Sequence, residues 1–401
     1  MLFDRQLLDS KFVINSLRLA VFVYLILWGY WVLTGSGLVD RSGIQIGGDF
    51  SHYWVAASMA RSGEAASVYD VSRFKGAQEK TFGAKVTLAW LYPPTYLLLL
   101  IPFSFLPYLV AFCAWISATM GGFVLVLRRL TPHPRMIWPL LVFPGTFLNF
   151  TYGQNGFLSG ALLGGGLLLL DSLPVAGGIL LGLLTFKPHL AALVPLALIA
   201  GRRWRALAAM LATAAALILA SIIILGSEVW LAFLKNVLFS VQNLKTSAIS
   251  AGSTLPLEKM AGVFTAVLLA GGNILTAAIF QGASMLLTVF LVAWAWRRGA
   301  PLPLGGSLLV LGAFLFTPYA FIYDLAILAL PLAWLGWEGY ARGRLPGEKT
   351  CLALGWLAPL LARPLAQATH LQIVPLILGL LFFLTLSRAL RHFQAAPGTQ
   401  R

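Results

Sequence analysis

Long apolar runs alternate with short polar interruptions along the chain, and the interruptions carry nearly all of its charge. The first run, VFVYLILWGYWVL (21–33), contains no charged residue. A hydrocarbon core about 30 Å thick takes roughly 20 apolar residues per helix, fewer where the helix is buried among others. On that measure the pattern predicts spans near 15–34, 94–107, 109–127, 136–151, 156–171, 174–186, 188–201, 206–226, 272–296, 303–318, 322–340, 351–366 and 372–390. Two stretches break the alternation: 35–87, with charges of both signs, and 227–271, where SEVWLAFLKNVLFSVQNL reads as an amphipathic helix lying along a surface. The expected fold is therefore an all-α polytopic membrane protein. It is read as a single domain over 1–401, a bundle of about 11–13 transmembrane helices whose outer-face loops carry short amphipathic helices, with 272–401 as its C-terminal helices.

Composition agrees with that pattern: 59% of residues are hydrophobic, only 10% are charged, and the mean hydropathy is +0.85. A soluble domain of this length would not tolerate such a surface. The formal charge of +15 invites comparison with nucleic-acid binders. Its basic residues, however, come as short clusters between apolar runs, RRLTPHPR (128–135), GRRWR (201–205), WRRG (296–299), ARGR (341–344) and SRALRH (387–392). That is the positive-inside arrangement of a membrane protein, so no nucleic-acid partner is expected. The two cysteines, Cys113 and Cys351, lie in apolar stretches and support neither a disulfide framework nor a metal site. The first apolar run lacks a small-residue cleavage site and is expected to remain as the first span.

With the arginine clusters inside, both termini fall in the cytoplasm and both long loops outside. Arg128 and Arg129 obey the rule only if 92–107 is a re-entrant hairpin, which the prolines that interrupt that stretch favour. The outer face then receives GGDFSHYW (47–54), LYPPTY (91–96), YGQNG (152–156), FKPH (186–189) and TPYAFIYD (317–324).

Each motif has a structural and a functional reading. Lys187 and His189 interrupt an uncharged run from Pro174 to Gly201. Lys187 is either a snorkelling lysine at a helix end or a cation offered to a lipid phosphate, with His189 beside it. Asp49 follows two glycines, which permit a tight turn and a close approach to a ligand; it is a helix cap for a helix of about fourteen residues, a catalytic base, or both. Asp324, after Tyr319 and Tyr323, is a cap or a site residue. Turn chemistry accounts for Asn155 before Gly156, whereas Gln154 has no such structural reason. His52, Tyr53 and Trp54 place three rings next to Asp49, and Tyr92 adds another.

One candidate base, one cation and several aromatic and amide groups suit transfer of a sugar from a lipid phosphate. The acceptor hydroxyl attacks the anomeric carbon, a carboxylate takes its proton, and phosphate departs. Phosphate is a good leaving group, so the second carboxyl of a glycosidase is not required. The cation stabilises charge on the departing phosphate.

The order of GGDFSHYWVAASMARSGEAASVYD (47–70), LYPP (91–94), GQN (153–155), FKPHLAALVPLALIAGRRW (186–204) and TPYAFIYDL (317–325) resembles the glycosyltransferase-C superfamily. Most closely it resembles glycosyltransferase family 87, the polyprenyl-phosphate-mannose-dependent alpha-1,2-mannosyltransferases, over residues 15–340. The resemblance implies an inverting transferase that needs no metal or other cofactor and moves a hexose or pentose from a polyprenyl-phosphate donor to a glycolipid or glycan hydroxyl. It implies a multi-pass protein of the bacterial inner membrane, embedded in the lipid bilayer, with its active site facing the periplasm or cell exterior. It puts the catalytic base at Asp49 and its Lys-Pro donor-phosphate motif at Lys187 and Pro188, beside which His189 is read as a further donor-phosphate contact. Substrate contacts fall to His52, Tyr53, Tyr92, Gln154, Asn155, Tyr323 and Asp324. Mycobacterial members are expected to carry a histidine in the late outer motif where this chain has YAFIYD, which leaves donor sugar and acceptor open. The alternatives are a lipid-linked saccharide flippase, which should show inverted repeats that are not seen here, and an O-antigen-ligase-like transferase. The latter should rely on outer arginines and histidine, of which the chain offers few: Arg41, Arg61, Arg73, Arg363, His52 and His370.

Overall fold

The computed structural model describes residues 10–83, 88–247 and 257–395, with 239–247 described as backbone only. The chain tails expected in the cytoplasm, residues 84–87 of the first loop and residues 248–256 of the second lie outside that set. Among the described residues the regular structure is helical, joined by isolated bridges rather than strands. Among the described residues, six helices are long and apolar enough to cross a membrane: Lys11–Leu33, Tyr108–Leu130, Trp204–Leu225, Ile274–Arg297, Glu348–Thr369 and Val374–Ala395. Shorter apolar helices lie at Pro94–Phe105, Gly156–Leu169, Pro174–Phe186, Pro188–Ala200 and Leu302–Phe316. The protein is an all-α, multi-pass membrane protein.

Several expected spans are broken where proline removes a backbone donor. The stretch read as 136–151 divides into Ile137–Leu141 and Pro144–Thr151, because Phe143 ahead of Pro144 is extended (ψ 126°). Pro94–Leu100 gives way to a 3₁₀ turn, Ile101–Phe105. Together these are too short for a 30 Å core, consistent with a re-entrant hairpin. The span read as 322–340 starts as a 3₁₀ segment, Ile322–Leu328, before continuing as Ala329–Arg342. Ser227–Ser247 is the helix expected in the second loop, and Asn236 ties it to the segment just after the first by donating to the Trp90 carbonyl at 2.8 Å.

Water drives little of the helix association inside a membrane, so close backbone packing must supply it. Pro174–Gly182 lies so near Trp204–Leu225 that a Cβ on Gly178 would come within 2.2 Å of the Ala206 carbonyl oxygen. Leu302–Phe316 is apolar all round and buried from Leu304 to Leu315, as a helix surrounded by others should be. The long helices instead expose apolar side chains such as Ile223, Leu286 and Phe383, the surface lipid would cover.

The bundle has two chemically different ends. Tyr108–Leu130 begins beside GGDF, where the Tyr108 hydroxyl donates to the Ile46 carbonyl, and ends about 35 Å away at Arg128 and Arg129. Pro174–Phe186 runs from Asp171, paired with Arg203 at 2.6 Å, up to Lys187. Ile274–Arg297 descends to Arg298, Leu302–Phe316 returns to Thr317, and Ala329–Arg342 descends again to Arg342. At that basic end Arg388 is buried against Glu348, donating through Nε at 3.0 Å and Nη2 at 2.5 Å. Part of the charge read from sequence as a topological signal therefore also ties two helices together.

Candidate active site

The end opposite the arginines gathers the motifs, and a pair of interlocked turns starts the assembly. Gly47 and Gly48 adopt φ of +81° and +49°, in the left-handed region that disfavours residues with a Cβ. A Cβ on Gly48 would also sit 3.1 Å from the Cα of Tyr152. The close approach made possible here is thus to the protein's own YGQN turn, sealed by the Asp49 N–H donating to the Tyr152 carbonyl at 2.9 Å. Trp115 holds the same turn from behind, donating to the Gly153 carbonyl at 3.1 Å.

Asp49 occupies the N-cap position of Phe50–Arg61, yet its side chain makes no capping hydrogen bond. Its Oδ2 instead accepts from Gln154 Nε2. Burial raises the Asp49 carboxyl to about 6, partly opposed by the Gln154 hydrogen bond and the charge of Lys259, with Asp324 adding to the rise.

One helical turn along, Tyr53 is fully buried and its hydroxyl donates to Gln154 Oε1 at 2.6 Å. That uses its single proton, so the Tyr92 hydroxyl at 2.9 Å must be the donor in their pair. Asn155 Nδ2 also donates to Tyr53, at 3.3 Å, while Asn155 Oδ1 accepts from Lys187 Nζ at 2.6 Å. Lys187 is buried and forms an ion pair with Asp324 Oδ1. The other oxygen of Asp324 accepts from the Phe321 N–H at 3.2 Å.

These contacts make one chain in which every donor points the same way: Lys187 to Asn155, Asn155 to Tyr53, Tyr53 to Gln154, Gln154 to Asp49. Aligned dipoles between a cation and a carboxylate polarise one another in a low-dielectric interior. Each amide is also fixed in orientation, since reversing Gln154 would set its NH₂ against the Tyr53 proton.

The structure therefore brings Asp49, Tyr53, Tyr92, Gln154, Asn155, Lys187 and Asp324 into one network, drawn from all five motifs. It revises several of their expected roles. Lys187 neither snorkels nor stands free: at 2% exposure it is countered by Asp324, and one N–H is left without an acceptor among the described residues. Asp324 does cap its 3₁₀ turn, as one reading had it, with the oxygen that does not face Lys187. Tyr53 is too buried to offer a sugar a ring face, and Trp54 turns away, donating to the Leu106 carbonyl at 3.1 Å. His52 is buried edge-on to Tyr53 (4.5 Å) and Trp90 (6.1 Å), and burial pushes it down to about 3, so it is neutral. His189 follows Lys187 with Nε2 unpartnered among the described residues. Tyr323 stacks on Phe321 at 5.2 Å.

Sequence reasoning missed Trp115, hidden in an apolar run, and Tyr96, which stacks on Phe186 at 5.0 Å beneath the network. It also missed Lys259, which acts on Asp49 through space from a short 3₁₀ turn, Leu257–Lys259. Nothing in a lone loop lysine distinguishes it until Asp49 is placed nearby.

Comparison with known proteins returns no match among curated proteins and none among solved structures. The model of one family, Glycosyltransferase family 87, matches residues 90–318, which contain Tyr92, Gln154, Asn155, Lys187 and His189 and stop between Asp49 and Asp324 at either side. With more than half of its length matched and its polar network built around that stretch, the chain belongs to glycosyltransferase family 87 and is a membrane glycosyltransferase.

Proposed function

We propose that the protein transfers a sugar from a polyprenyl-phosphate donor to a hydroxyl of a glycolipid or glycan, with inversion, and that Asp49 is the base. The observation that carries this reading is the free Asp49 carboxylate. It sits at a helix start without capping it, has one oxygen held by Gln154, and leaves Oδ1 for an incoming hydroxyl. A carboxyl raised to about 6 is ionised at neutral pH and still basic enough to take a proton in the transition state.

In one step the acceptor oxygen bonds to the anomeric carbon as the bond from that carbon to the phosphate oxygen breaks. The acceptor proton passes to Asp49, and the electron pair of the broken bond goes to the phosphate. Lys187, ion-paired with Asp324, contributes its remaining N–H near the leaving group. His189, Tyr92 and Tyr323 are partly accessible and are assigned to contact with substrate. His52, Tyr53 and Asn155 act behind them by holding Gln154 and Lys187 in place.

The end that holds Asp49 lies opposite the arginine-rich end, which supports a periplasmic or exterior active site by the positive-inside rule. A hexose such as mannose fits the family resemblance, and the donor sugar is read no further than that. Family membership weighs against a flippase, as does a polar network confined to one end of the bundle.

The test is Asp49→Asn in the purified full chain, with turnover followed by mass spectrometry of the glycolipid product. A general base contributes roughly 10²–10⁴-fold, so the variant should retain under about a tenth of wild-type turnover while still binding donor. Retention above that level would remove Asp49 from the role.

A further inference from the structure

Transfer as proposed above moves one negative charge across the site. Asp49 begins ionised and ends protonated, while the donor's phosphodiester monoanion becomes a phosphomonoester dianion. A cation is needed near the phosphate, and Lys187 does not supply net charge because Asp324 cancels it. The charged and titratable groups around Asp49 are few. Among the described residues, the helix it starts offers neutral His52 and Tyr53; the 91–93 loop offers Tyr92; the 317–324 segment offers Tyr323 and Asp324; the 257–259 turn offers Lys259.

Lys259 acts on Asp49 through space from a segment fixed by backbone contacts. It makes no ion pair or side-chain hydrogen bond with any described residue, and it is half-buried. The residues on either side of it are pinned by three hydrogen bonds. Met260 N–H donates to the Leu257 carbonyl at 3.0 Å, Ala261 N–H to the Ala320 carbonyl at 2.7 Å, and Gln372 Nε2 to the Met260 carbonyl at 2.9 Å. The bridge between Met260 and Phe321 lays this segment along the strand of chain that carries Asp324. A charge on a segment held by these contacts, acting on the base through space and ion-paired to no carboxylate among the described residues, is placed for an anion that arrives with substrate.

We propose that Lys259 is the residue that binds the donor's phosphate and takes up the charge it gains as it leaves. This rests on the polyprenyl-phosphate reading of the donor and assigns the cation outside the buried ion pair, Lys259, to the phosphate charge rather than Lys187. As a single ammonium it acts as a point charge, so an arginine in its place retains the charge and a methionine keeps only the stem.

The experiment compares binding of a polyprenyl monophosphate and the matching uncharged polyprenol to the purified full-length protein, for wild type, Lys259→Met and Lys259→Arg. Lys259 lies in a loop segment held by backbone bonds, so the variants should unfold at the wild-type temperature, and this is checked first. The expected result is that Lys259→Met binds the monophosphate at least tenfold more weakly, binds the polyprenol as wild type does, and that Lys259→Arg restores most of the difference. Turnover of Lys259→Met should fall with it. Monophosphate affinity within twofold of wild type in Lys259→Met would overturn the assignment of Lys259 and leave the donor class standing. A wild-type protein that binds monophosphate no better than polyprenol would overturn the donor class and the role of Lys259 together.

Discussion

At the scale of single residues the site is a question of which charges are free. Asp49 is raised to about 6 chiefly by burial, from an ordinary value near 3.8. The base must be ionised, so transfer should fail as pH drops through about 6, not through about 4, losing close to tenfold per unit below that point. Gln154 stabilises the ionised form by donating to Oδ2, so Gln154→Leu should move this acid limb to higher pH as well as slow the reaction. The measurement is kcat/KM against pH for both proteins; an unmoved limb in the variant would show that Gln154 does not tune the base. The Lys187–Asp324 pair invites a different test. Removing one partner strands the other charge in the interior, which costs about 3–5 kcal/mol, whereas removing both leaves no stranded charge. Lys187→Met and Asp324→Leu should each lower thermal stability strongly, and the double variant should be more stable than either. A double variant as unstable as the sum of the two would mean that the pair is not coupled.

At the scale of elements, the turns are what bring distant motifs together. Gly153 has φ +60°, and a Cβ there would sit 2.5 Å from the Gly47 carbonyl oxygen, a backbone atom with little freedom to move. Gly37 has a similar φ of +62°, with nothing within 4 Å of its would-be Cβ. The pair separates backbone strain from steric collision. Gly37→Ala should cost only the strain, about 1 kcal/mol, and keep activity within about twofold. Gly153→Ala should also push the two turns apart, move Gln154 off Asp49, and reduce kcat/KM more than tenfold. Equal effects in the two variants would remove the packing of turn on turn from the explanation. The elements also show how far pattern reading reaches. Apolar runs locate the helices well, since Lys11–Leu33, Tyr108–Leu130 and Trp204–Leu225 fall close to where hydropathy put them. The same runs conceal the breaks at Phe143 and near Pro195, because a broken helix buried in a bundle is as apolar as an intact one. The partners of Asp49 and Lys187 were legible as residues out of place in their surroundings. The ion pair was not, for a contact between positions 187 and 324 leaves no local mark.

At the scale of the whole molecule, the orientation of the active site in the membrane follows from its two ends. Helices that start or finish at the Asp49–Asp324 network finish or start at Arg128, Arg203, Arg298, Arg342 and Arg388, across about 35 Å of bundle. Cytoplasmic loops collect Lys and Arg, so the network end should face the exterior, where a lipid-linked donor is reached from the outer leaflet. Ser42 and Arg298 are both exposed and mark the two ends, Ser42 in the loop before Gly47 and Arg298 in the turn after Ile274–Arg297. In a chain with Cys113 and Cys351 replaced by alanine, Ser42→Cys should react with an impermeant maleimide in intact cells. Arg298→Cys should react only after the membrane is opened. The reverse pattern would turn the protein over and place Asp49 in the cytoplasm, where the reaction would have to draw on a donor in the inner leaflet. Labelling of both from one side would mean that an odd number of crossings does not separate them. That outcome would dissolve the link between the arginine clusters and topology, while leaving the hydrogen-bonded chain from Lys187 to Asp49 untouched, since that chain depends on contacts within the bundle and not on the side from which it is approached.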